Sequence, residues 1–273
     1  MRRGMFLLAM VTTGFLLASG VALAQVVNCP TGASGLCVGT NGNDTLNGTS
    51  DPDEMRGLKG QDTLNAGAEL DSLSGGRGND TLRGDADNDS LNGELGNDTM
   101  NGGPGADEYR FANGWGKDRI AEGGGMVVSD ERLTFSLVTQ PVTMDLISSA
   151  SRPEVKSGAN TLNFGPNMVI NSIDGSSAGD DIKGDDGIDS LNGIQGNDTI
   201  RGRGGPDTLM GMTGKDELFG GSGEDVFEAN EGPDVLRAVD GEKDDLMCGP
   251  GTDTAFFDQG LDDLQGCEDK RPQ

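Results

Sequence analysis

Across 273 residues the chain carries 46 acidic against 20 basic side chains and no histidine, a formal net charge of −26, with 47 glycines and only 4 % aromatic residues. Such a balance attracts cations and repels nucleic acid and anionic membrane surfaces. On composition alone it offers too little apolar surface to offset the entropy of ordering the backbone, so without a further stabilising agent disorder is the expectation.

The chain opens as a secretion signal. Arg2 and Arg3 form a basic start, Met5 to Leu17 is mostly apolar, and Ala22-Leu23-Ala24 offers small residues for cleavage before Gln25. The apolar run is too short for a comfortable membrane span, so residues 1–24 are expected to be removed rather than kept as an anchor. The paired arginines lack the flanking residues of a twin-arginine signal. This leaves the general export route and an extracellular mature chain without membrane insertion. In that oxidising setting four cysteines should pair, and three pairings are open. Cys29 and Cys37 precede the first repeat and Cys248 and Cys267 stand near the end, so the local pairing Cys29–Cys37 and Cys248–Cys267 is expected to close each end. Zinc is a poor alternative, with no CxxC spacing and no histidine.

From Gly39 the chain divides into nines: GTNGNDTLN, GTSDPDEMR, GLKGQDTLN, AGAELDSLS, GGRGNDTLR, GDADNDSLN, GELGNDTMN and GGPGADEYR, ending at Arg110. A looser unit, NGWGKDRIA, follows, with Asp118 at position six. A second set starts at Gly175: GSSAGDDIK, GDDGIDSLN, GIQGNDTIR, GRGGPDTLM, GMTGKDELF, GGSGEDVFE and ANEGPDVLR. After the extra residue Ala238 come VDGEKDDLM, CGPGTDTAF and FDQGLDDLQ. Position six is Asp and position eight apolar in all 18 regular units, a register that chance cannot produce.

Positions one to six read as a turn, where glycine permits positive φ and lets carbonyls face a common centre. Positions seven to nine read as a short strand with only the central side chain, such as Leu46, Leu82 or Leu191, facing inward. Two nonads make one coil, so residues eighteen apart stack at the ~4.8 Å spacing of neighbouring strands. Calcium takes six to eight oxygens at ~2.3–2.6 Å, and twice that radius matches the coil spacing. Asp44 and Asp62, Asp62 and Asp80, and Asp80 and Asp98 are such stacked pairs. Without a cation they would repel by ~1–3.5 kcal/mol per pair, so the metal should be part of the fold.

This register resembles the GGxGxDxUx nonapeptide of the repeats-in-toxin (RTX), or hemolysin-type calcium-binding, family, over both blocks. The resemblance implies an all-β fold: a right-handed parallel β-roll, or β-solenoid, of nonapeptide repeats in two blocks with a β-rich connecting segment. It also implies several bound Ca2+ ions. Their ligands would be the position-six carboxylates Asp44, Asp53, Asp62, Asp71, Asp80, Asp89, Asp98, Asp107, Asp180, Asp189, Asp198, Asp207, Asp216, Asp225 and Asp234. The turn backbone would add position-four glycines Gly42, Gly60, Gly78, Gly96, Gly105, Gly187, Gly196, Gly205, Gly214 and Gly223. The two sides of the first block differ. Position four is Gly42, Gly60, Gly78 and Gly96 in odd units, but Asp51, Glu69 and Asp87 in three even ones. One clean and one distorted row of sites is one reading, and drift at unused turns is the other. In the second block Ala178 is the exception to glycine among the first seven units.

The expected organisation is therefore a disulfide-capped segment 25–38, a first roll 39–121, a connecting segment 122–174, a second roll 175–265 and a short polar tail 266–273. In the connecting segment, Leu133 to Leu137 and Val142 to Leu146 alternate apolar and polar as half-buried strands do, and 160–173 gives another short strand signal. They either extend the solenoid with longer loops or form a small separate module. Catalytic signals fail on inspection. Gly175-Ser-Ser177-Ala-Gly179 has the form of a hydrolase elbow, but it lies inside a nonad and no histidine exists to activate Ser177. The same lack excludes an HExxH zinc site. Asp85-x-Asp87-x-Asp89 lacks the Gly and Glu of an EF-hand loop. The expectation is a non-enzymatic, extracellular calcium-binding module with a structural or interaction role. The alternative is a small active site within 122–174.

Overall fold

A nonad with one apolar side chain cannot bury it alone, so each unit must stack on another. The computed structural model describes residues 23–31, 35–121, 131–146, 154–164 and 169–273, and almost all of the expected signal segment lies outside them. Every regular element among the described residues is a β-strand, and together they build a parallel β-solenoid of about 12 turns. One face is a 15-stranded sheet and the other a 13-stranded sheet, with consecutive nonads alternating between them.

Position eight makes the core. On the larger sheet Leu46, Leu64, Leu82, Met100 and Ile120 stand in register on successive strands. On the smaller sheet the file runs from Met55 through Leu73, Leu91, Tyr109, Leu133, Ile173, Leu191, Leu209, Phe227 and Leu246 to Leu264. All but the last are buried, each contributing about 2 kcal/mol of apolar burial. That is one such side chain per nine residues, a thin core for so much ordered backbone.

The unit differs from its sequence reading in two ways. Strands such as Asp53–Lys59 and Thr208–Gly214 run on past position nine into the next turn. Position one also faces inward: Ala66 and Ala229 are fully buried. The two-residue period of a strand puts positions eight and one on the same side once the strand is longer than three residues.

The connecting segment lies within the same two sheets. Glu131–Leu137 and Ile170–Asp174 continue the smaller sheet in parallel, whereas Glu154–Ser157 enters the larger sheet antiparallel to both Thr143–Asp145 and Asn160–Phe164. The alternation expected at Leu137 fails. Leu133 and Phe135 face inward, but Leu137 is 55 % exposed and Val138 takes the buried place. Here aromatic side chains gather in the core, with Phe111 stacked on Phe135 at 4.9 Å and tilted against Trp115 at 5.5 Å between ring centroids.

Both ends are stapled as expected. Cys29 follows a strand of the larger sheet and bonds Cys37 in the smaller, and Cys248 follows a strand of the smaller sheet and bonds Cys267, which precedes the last strand of the larger. Each bridge ties the two sheets together where an end coil lacks a neighbour on one side.

Close stacking of turns accounts for the position-four glycines Gly60, Gly78 and Gly96. Gly78 has φ +146°, and a Cβ there would lie 1.4 Å from the Gly60 carbonyl oxygen. Gly78→Ala should therefore destabilise the folded protein by on the order of 3 kcal/mol in urea denaturation. Gly158→Ala, at φ +60° with nothing within 4 Å of the new methyl, should cost only about 1 kcal/mol. Equal losses would mean that coil contact does not select the glycine.

Candidate metal centre

The position-six aspartates line up in files along both edges of the solenoid. Asp44, Asp62, Asp80, Asp98 and Asp118 form one. In it the backbone N–H of each donates to Oδ1 of the next at 2.7–2.9 Å. Asp53, Asp71, Asp89 and Asp107 form the facing file with the same bond. The second block repeats the arrangement through Asp180, Asp198, Asp216, Asp234 and Asp253, and through Asp189, Asp207, Asp225, Asp244 and Asp262. All fifteen aspartates named from the sequence fall in these files, and all are buried.

Beyond the first members of the files, such as Asp53 whose Oδ1 has no partner, Oδ1 is thus fixed by backbone, and Oδ2 divides the aspartates into two kinds. In the opening units of each block a position-two residue serves it. Thr40 and Thr49 donate N–H and hydroxyl to Oδ2 of Asp44 and Asp53, the Ser176 N–H donates to Asp180 Oδ2, and the Asp185 N–H donates to Asp189 Oδ2. In interior units position two is left-handed, at Leu58, Glu94, Ile194, Arg203, Met212 and Asn230 among others. There, and in the unit of Asp244 whose position-two Asp240 is not left-handed, Oδ2 of Asp62, Asp71, Asp80, Asp89, Asp98, Asp118, Asp198, Asp207, Asp216, Asp225, Asp234, Asp244 and Asp253 is buried without a hydrogen-bond partner. A file of orphaned carboxylate oxygens calls for protons or cations.

The surroundings fit a hard cation. A Cβ built on Gly57 would lie 2.5 Å from both Asp62 Oδ2 and the Gly75 carbonyl oxygen, and one on Gly202 would meet Asp207 Oδ2 at 2.1 Å and the Gly220 carbonyl at 2.7 Å. Carboxylate and next-coil carbonyl therefore converge over a bare glycine. The donors are all oxygen, the set that Ca2+ prefers. Among the described residues no group of three or more Asp, Glu or Cys side chains gathers at one point, so backbone carbonyls must supply much of any shell.

The rows are unequal in the first block. Position four reaches φ +127° and +146° at Gly60 and Gly78, but Glu69 and Asp87 hold +73° and +75°. Asp71 also has Ala66, not glycine, at position one of its unit. Expected ligands stopped at Asp234, yet Asp118, Asp244, Asp253 and Asp262 occupy the same files. Two glutamates were missed altogether. Glu131 Oε2 accepts the Asp107 N–H and Glu268 Oε2 accepts the Asp253 N–H, so each extends a file beyond the last aspartate. The hydrolase-like Ser177 is engaged by the fold, its N–H and hydroxyl both donating to the Val138 carbonyl.

Burial is the leading cause that lifts these carboxyls, with repulsion from file neighbours adding to it. Asp62 is pushed up to about 6, Asp98 to about 7, and Asp118 and Asp207 to about 8. The unfolded chain releases these protons near pH ~4, whereas the folded chain keeps them to higher pH. Without a cation, this stabilisation is complete below that value and lost as pH rises through about 6 to about 8. In chelator the urea midpoint should therefore fall from pH 5 to pH 8. In calcium the order should reverse, because protons and metal compete for the same oxygens. A midpoint that rises with pH in chelator would mean that these carboxylates are not buried as described.

The segments 38–73, 74–109, 174–209 and 202–236 each match the model of the RTX calcium-binding nonapeptide repeat. No curated protein matches the chain.

Proposed function

The chain belongs to the RTX calcium-binding nonapeptide-repeat family, and from that premise we propose that it is a secreted module whose two blocks fold around Ca2+ outside the cell. Binding several calcium ions is a property of these repeats, and their solenoid is a structural calcium-binding fold. The reading for this chain rests on one observation: the file of buried, partnerless Oδ2 atoms between successive coils. Bound calcium would supply the positive charge that those oxygens lack. The interior position-six aspartates would be its side-chain ligands, and position-four and neighbouring turn carbonyls the rest. Export is supported by the basic, apolar and small-residue order of residues 1–24 and by four cysteines, all paired. Extracellular calcium modules bind at about 10⁻⁴–10⁻³ M, so a chain of this kind would stay unstructured inside the cell and fold on leaving it. The role outside would be structural or adhesive.

At pH 8, where the buried carboxylates are largely ionised, circular dichroism of the mature chain should show little structure in chelator and β-structure in millimolar calcium. Equal order in both would refute calcium-driven folding. Asp62→Ala and Asp80→Ala remove an interior carboxylate from the glycine-rich row, where each faces a coil above and below. Both should raise the calcium midpoint more than Asp71→Ala, because a ligand that binds only the folded state stabilises it by mass action. The greatest loss at Asp71 would instead make the position-four acids ligands themselves. Amino-terminal sequencing of exported protein should begin at Gln25, and a start at Met1 would refute cleavage.

A further inference from the structure

The last coil departs from the repeat. Six residues, 248–253, normally make the turn between a strand of the smaller sheet and the next strand of the larger, here Asp245–Met247 and Thr254–Phe257. The final turn, between Asp263–Gln265 and Asp269–Pro272, has only Gly266, Cys267 and Glu268. Sheet register nonetheless stays intact, with Asp269 opposite Thr254, so Glu268 occupies the place of the repeat aspartate above Asp253. It makes the same bond, its Oε2 accepting the Asp253 N–H at 3.0 Å. Asp253 is completely buried, its Oδ1 accepts the Asp234 N–H, and its Oδ2 has no partner.

We infer that Asp253 and Glu268 hold a terminal calcium ion, set in place by the Cys248–Cys267 disulfide and lying outside all the matched repeats. This rests on the calcium-binding reading above. The chemistry explains why a glutamate stands here. A three-residue turn offers fewer carbonyls than a six-residue one, and a carboxylate on a longer arm can bind through both oxygens to make up the loss. Cys267 immediately precedes Glu268, and Cys248 opens the turn that carries Asp253, so the bridge fixes the two carboxylates relative to each other. Glu268 is solvent-exposed, so water can complete the shell and this ion should exchange more readily than those of the interior.

Glu268→Gln separates a ligand from a mere cap. The amide oxygen still accepts the Asp253 N–H, but the charge is gone. Native mass spectrometry of the oxidised mature chain at saturating calcium should count one ion fewer in this variant, with an unchanged circular dichroism spectrum. Glu268→Asp keeps the charge on a shorter arm, and should raise the calcium needed to fill the final site roughly tenfold. The double variant Cys248→Ser, Cys267→Ser should lose the same ion. If the native chain binds several ions and Glu268→Gln binds as many, the inference is wrong and Glu268 only caps the coil. Retention of the ion by the cysteine variant would overturn the part assigned to the disulfide. A native chain that binds no calcium would instead sink the functional reading beneath.

Discussion

Everything in this molecule turns on carboxylate oxygens stacked at the pitch of a β-sheet. Backbone pairing fixes that pitch at ~4.8 Å, and the aspartate files inherit it. At such a distance, away from full hydration, like charges cannot all persist unless something positive lies between them. The oxygens that face this problem are held rigidly, because their twins accept backbone N–H bonds from the coil before. The side chains cannot swing out to water without breaking those bonds. Glycines such as Gly57, Gly78 and Gly202 follow from the same constraint, since a methyl group there would fill the space where oxygens converge or push the coils apart. A core of one apolar side chain per nonad is too slight to hold the coils together against that repulsion, so the proposed cation would be a structural component.

Much of this was legible in the sequence because the period is strict. An Asp and a Leu repeating every nine residues specify two facing sheets, an inward file and an edge file, and these stand where the spacing puts them. What escaped the sequence is what the period does not carry. Glu131 and Glu268 lie 24 and 15 residues from their partners, so only sheet pairing identifies them as members of the files. Leu58, Ile194 and Met212 take a left-handed backbone that their side chains do not advertise. Coil stacking imposes it, overriding the local preference. The exposure of Leu137 reflects a bulge beside Arg110 and Ala112, and irregular register is invisible to a pattern of alternation.

The two kinds of aspartate show how one motif serves two ends. Where a block begins, Thr40, Thr49, Ser176 and Asp185 satisfy the carboxylate with the protein's own donors, in the manner of a cap on a local turn. Further in, the left-handed residue at position two withdraws that donor and leaves the oxygen to another partner. Backbone conformation, not side chain alone, decides between the two: Asp stands at position two in both cases, yet Asp185 donates to Asp189 whereas left-handed Asp85 leaves Asp89 Oδ2 without a partner.

The aspartate files stop at the middle of the chain. On the strand after Asp118, Leu162 stands in register with it, and the larger-sheet file resumes only where the Val142 N–H meets Asp180. Between them lies the broad aromatic core around Phe111, Trp115 and Phe135. The molecule is thus a pair of one-dimensional lattices in series, joined through a spacer in which the larger-sheet aspartate file is interrupted. Along a lattice, occupancy at one level favours the next, as in any stack whose units touch only their neighbours. Across the spacer, where Leu162 stands in the file position, that coupling would be broken on the larger sheet. Each half would then keep its own threshold, and damage to one array would halt at the hydrophobic middle instead of unravelling both.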